Sequence, residues 1–281
     1  MIYTVTFNPA LDYALWCDNL IEGKTNRAFA AEISFGGKGI KVSYALKKLG
    51  VESTPIIFIA GFTGKEFSRL VAQEGINAEY IELKNGYTRI NLKIKTKNET
   101  EINWIGPEIN EEAMKTFYEK ISHIKNNDTL VLSGSVPPSL PDDIYKTVMQ
   151  KTKCRIVVDT IKNSLIPTLS LNPFLIKPNK EELDTIFNTD TGGNISKYAK
   201  ELQNAGAKNV MVSLGKDGAF LLDENGNEYI EKAPEGILKN SVGAGDATVA
   251  GFLYEYNISA DYRKCLSKAV ETGSKSAFGL L

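Results

Sequence analysis

The chain has a single histidine, His123, and only three cysteines, Cys17, Cys154 and Cys265. No two cysteines form a CxxC pair and one histidine cannot complete a Cys/His ligand set, so neither a disulfide framework nor a zinc centre is indicated. An excess of either charge is missing too, since 33 Lys and Arg stand against 34 Asp and Glu for a net charge of -1. That balance offers no electrostatic footprint for nucleic acid or an anionic membrane. Nowhere do about eighteen apolar residues run together, and the opening MIYTVTFNPALDY has neither a basic start nor a long apolar run. A soluble, unprocessed, cytoplasmic protein whose partners are small molecules is the expectation. His123, in EKISHIKNND, reads as a solvated position at the end of an amphipathic helix.

Two nucleotide-binding signatures are absent as well. The Gly-Lys pairs at Gly37, Gly64 and Gly215 do not complete GxxxxGK followed by Ser or Thr, which excludes a P-loop. GGKGIK, from Gly36 to Lys41, lacks the GxGxxG spacing of a dinucleotide loop and does not directly follow the first core strand, so an oxidoreductase of the nicotinamide type is a poor fit.

What is present is a chain of 281 residues, 42% hydrophobic, able to bury the core of one α/β domain spanning 1–281. Strand-like runs at Tyr3 to Phe7, Pro55 to Ala60, Thr129 to Ser133, Arg155 to Asp159, Phe174 to Lys177 and Val210 to Ser213 alternate with helical patterns. The helices are placed at Gly39 to Leu49, Glu66 to Glu74, Glu111 to Ile124, Asp142 to Lys151 and Ile195 to Ala205. This alternation predicts a mostly parallel sheet with helices on both faces and ligands at the carboxyl ends of its strands. Segments 13–35 and 87–103 have a different texture. YTRINLKIKTKNETEIN alternates like a hairpin turning near Lys97 and Asn98, and the two segments together predict a small β-sheet lid or dimer contact.

Three clusters carry chemistry. In NSVGAGDATVAGF, from Asn240 to Phe252, the residues Gly243, Ala244 and Gly245 put unobstructed amides at the start of an apolar helix, where they suit an anion. Asp246 behind them is placed to take a proton from a hydroxyl attacking bound phosphate, although Gly-Ala-Gly-Asp is equally an ordinary helix start. GGKG, with Lys38 and Lys41 in the following helix, is either a second anion site or a close-packed strand-to-helix turn. In FLIKPNKEEL, Lys177 ends a strand while Asn179 and Glu182 share one face of the next turn. That pair suits a hydrated magnesium or a capping box.

Taken in order, GGKG, SGSVPP from Ser133, KPNKEE from Lys177, SLGKDGA from Ser213 and NSVGAGD before Asp246 resemble the ribokinase-like, or pfkB, carbohydrate kinases over nearly the whole chain. The opening TVTFNPALDY, TRINLKIK, and ETEIN followed by GPEI are most similar to bacterial 1-phosphofructokinases, with tagatose-6-phosphate kinases the nearest competitor. The resemblance implies a three-layer α/β/α domain with a mostly parallel central sheet and a β-lid, and an ATP- and Mg2+-dependent transfer to a ketohexose phosphate. It implies Asp246 as base, with Gly243, Ala244 and Gly245 holding the γ-phosphoryl charge. Asp12 and the Gly37 loop would hold the sugar, Arg27, Lys38 and Arg89 its phosphate, and Lys41 a phosphate or sugar contact. Lys177, Asn179, Ser213 and Gly215 would serve the nucleotide, Glu182 the metal through water, and the lid would meet a second copy in a homodimer. Lys41 stands where the family pattern GGKGxN has Asn, exchanging a donor-acceptor amide for a pure donor. A sugar-phosphate sensor that kept the fold without catalysis is the alternative of another class.

Overall fold

The computed structural model describes all 281 residues. Its main sheet runs from edge to edge as β13 (Glu228–Glu231), β12 (Ala219–Leu222), β11 (Asn209–Ser213), β10 (Leu175–Ile176), β9 (Arg155–Asp159), β8 (Thr129–Ser133), β1 (Ile2–Thr6), β4 (Ser53–Ala60) and β5 (Glu79–Leu83). From β11 to β5 every pairing is parallel, and only the pairings of β12 with β11 and with β13, at one edge, are antiparallel. Both faces are covered, which is why these strands are continuous apolar runs rather than alternating ones. In β8, Leu130 and Leu132 enter the core on one face and Val131 the core on the other.

Helices α1 (Lys38–Lys48), α8 (Ala244–Ile258) and α9 (Tyr262–Ala277) cover the face that receives Val131, through Val42, Leu46, Val249, Phe252 and Leu266. The opposite face packs under α3 (Glu111–Ile121), α4 (Ile144–Gln150), α5 (Lys162–Leu169), α6 (Lys180–Phe187) and α7 (Ile195–Asn204). These layers form the expected three-layer α/β/α fold. The strands at Thr129 to Ser133 and Arg155 to Asp159 have the expected bounds, whereas the one expected from Phe174 to Lys177 keeps only two residues. His123 is exposed just past α3, as its polar context implied.

A second, smaller sheet, in the order β3 (Ala30–Gly36), β2 (Ala10–Trp16), β6 (Arg89–Lys95) and β7 (Glu99–Asn103), stands apart from the main one and is built from the expected lid segments. It begins at Ala10, earlier than the segment 13–35 suggested. Helix α2 (Gly61–Gln73) buries Phe67 and Val71 against Leu11 and Phe35 at the root of the lid. Phe7 anchors the passage from β1 into the lid, with its ring 5.2 Å from Phe117 and 5.3 Å from Phe58.

The strand-to-helix turn before α1 explains its glycines. A Cβ on Gly39 would lie 2.2 Å from the Val5 carbonyl oxygen, and Gly37 adopts φ 123° with its Cβ position 2.7 Å from a Thr6 methyl. Close packing against β1 thus accounts for Gly37 and Gly39. Thr6 Oγ1 also accepts from the Ile40 amide at 2.9 Å, satisfying one of the donors that a helix start leaves open.

Candidate active site

Strand ends β1, β8, β9, β10 and β11 finish along one edge of the sheet, and the residues that follow them converge with the N-termini of α1, α6 and α8. At the centre is Asp159, the last residue of β9 and only 1% exposed. Lys38, the first residue of α1, reaches its Oδ1 at 3.1 Å, and Lys177 approaches its Oδ2 at 3.5 Å. Burial opposes ionisation of Asp159, but the two ammonium groups outweigh it and hold the carboxyl below its usual range. Lys38 is in turn held above its ordinary value, because Asp159 and Glu182 together overcome its own desolvation.

Asp246 lies in the first turn of α8 and is 7% exposed. Burial, with the Asp159 charge adding to it, pushes its carboxyl up to about 8, against the pull of Lys38, Lys177 and Lys41. Two carboxylates in one cleft are therefore driven apart, one fixed as an anion and the other poised to exchange a proton near neutral pH. Gly243 caps α8 at φ 85°, a conformation that favours glycine. The sequence suggested three free amides here, and the structure corrects one of them. Ala244 N–H donates to the Ser241 carbonyl at 3.2 Å, while Gly243 and Gly245 donate to no backbone carbonyl. Lys177 closes on this turn, its Nζ 3.4 Å from where a Gly245 Cβ would stand.

Asn179 and Glu182 form the capping box of α6: the Glu182 amide donates to Asn179 Oδ1 at 2.7 Å and the Asn179 amide to Glu182 Oε2 at 2.9 Å. This leaves Glu182 Oε1 facing Lys38 at 3.7 Å. No three His, Cys, Asp or Glu side chains gather into a metal cage. Glu182 Oε1 and Asp159 Oδ2, each facing a lysine at 3.5 to 3.7 Å without a hydrogen-bond partner, fit a cation that keeps its waters and is carried in on phosphate, the habit of Mg2+. Ser213 bridges to Asn179 at the same strand-end edge, and Gly215 lies exposed just beyond it in a 3-10 turn.

Across the cleft, Asp12 of β2 accepts from Asn91 Nδ2 at 3.0 Å and pairs with Lys93 at 3.7 Å, both on β6. Gly36 passes so close that a Cβ there would sit 2.7 Å from the Asp12 carboxylate oxygens. Arg89 begins β6 nearby, half-buried, and donates to the Trp104 carbonyl at 3.4 Å. Lys41 of α1 stands between the two halves, with its ammonium 4.7 Å from the centre of the Phe35 ring. The expected trio of Arg27, Lys38 and Arg89 is not assembled. Lys38 turns to Asp159 and Glu182, and Arg27 sits in the exposed loop between β2 and β3. Asp159, Asn91 and Lys93 were missed by the sequence reading. A carboxylate ending the apolar run RIVVD at a strand terminus, and the polar alternation of RINLKIK, were the available signals.

Comparison with known proteins bears on this geometry. The pattern described as "pfkB family carbohydrate kinase" matches residues 6–278. A 1-phosphofructokinase of Bacillus subtilis is 40% identical over 99% of this chain and 93% of its own length. A D-tagatose-1-phosphate kinase of Bacillus licheniformis is 34% identical, again over 99% and 93%. The crystal structure of Escherichia coli phosphofructokinase-2 in complex with substrates and products superposes with a TM-score of 0.92 at 30% identity, covering 99% of this chain and 93% of that one.

Proposed function

This chain belongs to the pfkB family of carbohydrate kinases, and from that premise we propose that it transfers the γ-phosphoryl group of ATP to the 6-hydroxyl of fructose 1-phosphate. The products are fructose 1,6-bisphosphate and ADP. The observation that carries the reading is the buried Asp246 at the first turn of α8, set behind amides that no backbone carbonyl occupies. In this reading Asp246 accepts the proton of the sugar 6-hydroxyl as its oxygen bonds to phosphorus and the bond to ADP breaks. Gly243 and Gly245 amides with Lys177 receive the charge on the migrating group. Asp12 holds sugar hydroxyls, and Asn179, Ser213 and Gly215 border the nucleotide. Mg2+ would neutralise phosphate charge, held through water by Glu182 and Asp159. Closure of the lid excludes water and limits loss of ATP to hydrolysis.

The test is a substrate panel with Mg-ATP, in which kcat/KM should be highest for fructose 1-phosphate. Turnover of fructose 6-phosphate and tagatose 6-phosphate without fructose 1-phosphate would sink this choice of acceptor. Tagatose 1-phosphate is the second reading, favoured by the D-tagatose-1-phosphate kinase relative. It presents phosphate on the same carbon and differs in one hydroxyl orientation, so it belongs in the same panel.

We also place a homodimer contact on the lid. Its cross-strand register aligns Ile33, Tyr13, Leu92 and Ile102 in one row, on the face opposite Asp12 and Asn91. Ile33 is 46% and Ile102 58% exposed, an apolar strip suited to a self-complementary two-fold interface. Ile102→Lys is expected to convert a dimer into a monomer in sedimentation velocity, whereas an unchanged mass would count against this surface. No helix is long and apolar enough to cross a membrane, and three free, buried cysteines support a cytoplasmic setting.

A further inference from the structure

One carbonyl at the edge of the site is held more firmly than a connecting turn requires. Gly134 follows the last residue of β8, and its amide donates to the Asp159 carbonyl at 3.0 Å. Its own carbonyl accepts from two hydroxyls, Thr160 Oγ1 at 2.7 Å and Tyr145 Oη at 3.2 Å. Both of those side chains are buried, Tyr145 completely. Gly134 takes φ 99° and lies along Lys38, since a Cβ there would stand 3.6 Å from the Lys38 Cβ. The peptide is thus wedged between Asp159, whose backbone it pairs with, and Lys38, whose ammonium reaches the Asp159 carboxylate at 3.1 Å. Packing does not call for the Tyr145 hydroxyl. The ring sits 5.7 Å from Phe7 in the apolar core beneath α4, where Phe would fill the same space without burying a polar group.

We infer that Tyr145 is a positioning residue of the phosphoryl-transfer site: with Thr160 it fixes the Gly134 peptide, and through that peptide the Lys38–Asp159 pair. This role rests on the kinase reading above and deepens it. Two donors, one from α4 and one from the segment after β9, set both the place and the tilt of a single carbonyl, whereas one donor leaves the peptide free to pivot. A pivot reaches Lys38 through its contact with Gly134, and Asp159 through the Gly134 amide. Those two charges bear on Asp246 with opposite signs, Asp159 raising its carboxyl and Lys38 lowering it, so a change in their spacing is felt by the base. Burial, with the Asp159 charge adding to it, holds the Tyr145 hydroxyl well above its ordinary value and keeps it a donor at neutral pH.

The experiment measures kcat and sugar KM with Mg-ATP and fructose 1-phosphate for the wild type, Tyr145→Phe, Thr160→Val and Thr160→Ser, and repeats the first two substitutions on a Lys38→Met background. Tyr145→Phe and Thr160→Val should each lower kcat about tenfold, inside the penalty for a small misplacement at a reacting centre. KM for the sugar should stay near the wild-type value, because Asp12 lies across the cleft. Thr160→Ser keeps the hydroxyl and should retain most of the rate. On Lys38→Met, either substitution should cost less than about twofold, as expected of side chains that act through one contact. Full kcat in Tyr145→Phe would overturn the inference, as would an undiminished fall without Lys38, or a loss of urea stability with kcat per folded molecule unchanged. If Tyr145→Phe fails to fold, Thr160→Val and Thr160→Ser decide the question from the other side of the carbonyl. A wild type that phosphorylates no ketohexose phosphate would overturn the kinase reading and this role together, whereas full wild-type turnover with unaffected variants would overturn the role alone.

Discussion

Replacing Asp246 by Asn is expected to lower kcat by about a thousandfold, within the range that removal of a positioned general base produces. Sugar KM should stay close to the wild-type value, because the amide keeps the size and packing of the carboxyl while losing the ability to take a proton. Coupled ADP detection checks this, and an Asn variant that turns over at the wild-type rate would remove Asp246 from its assigned place. The wild-type pH profile supplies a second check. With the Asp246 carboxyl pushed up to about 8, kcat/KM of the free enzyme should rise with pH until that group is ionised. Stability should move the other way. The unfolded carboxyl ionises near pH 4, so between about pH 4 and 8 the folded chain holds a proton that the unfolded chain releases, and folding weakens as pH rises. Asp246→Asn escapes this, and its advantage in urea unfolding should widen from pH 5 to pH 8.

Asp159→Asn should cost the fold about 3 kcal/mol, because it leaves the buried Lys177 without its counter-charge and Lys38 with Glu182 alone. Equilibrium urea unfolding measures the loss, and a change below about 1 kcal/mol would mean that solvent screens the trio far more than a carboxylate 1% exposed allows. Its pH dependence has a defined sign. The Asp159 carboxyl is held low in the folded chain, so its stabilisation is present above the unfolded value near 4 and lost as pH falls through the folded one. The gap between wild type and variant should therefore be full at neutral pH and close in acid. Removing the Asp159 charge also removes one of the influences raising Asp246. The rising limb of kcat/KM should accordingly shift to lower pH in whatever activity remains.

Asp159 also shows where sequence reading loses its grip. RIVVD announces a buried strand with the correct bounds, but nothing in the run says that its final carboxylate will meet Lys38, 121 positions earlier. Lys38 itself is visible in GGKG, yet its direction is set by the turn that Gly37 and Gly39 permit against β1. Asn179 and Glu182 were legible as a pair because a capping box is local, and both oxygens of that box appear where the spacing put them. RINLKIK was legible as a lid strand, whereas the face turned to the cleft depends on pairing with β2. Helix α2 starts at Gly61, ahead of the expected Glu66, with Thr63 buried in its first turn and donating to the Thr88 carbonyl at 2.7 Å, a tertiary contact that overrides the weak helical preference of GFTG. Helix α5 holds Pro167 in its interior and gave no helical signal at all.

The pairing of β2 with β6 joins two excursions from the main sheet, and the Asn91 to Asp12 contact spans 79 positions of chain. Side chains alternate between faces with a period of two, so a one-residue insertion in either strand would turn Asp12 outward or send Arg89, Asn91 and Lys93 to the outer surface. Point substitutions within the polar row leave the register intact and change only the side chains that the row presents. A change of length that preserves this register has to fall outside the strands, in the connecting loop between β2 and β3 or the turn between β6 and β7.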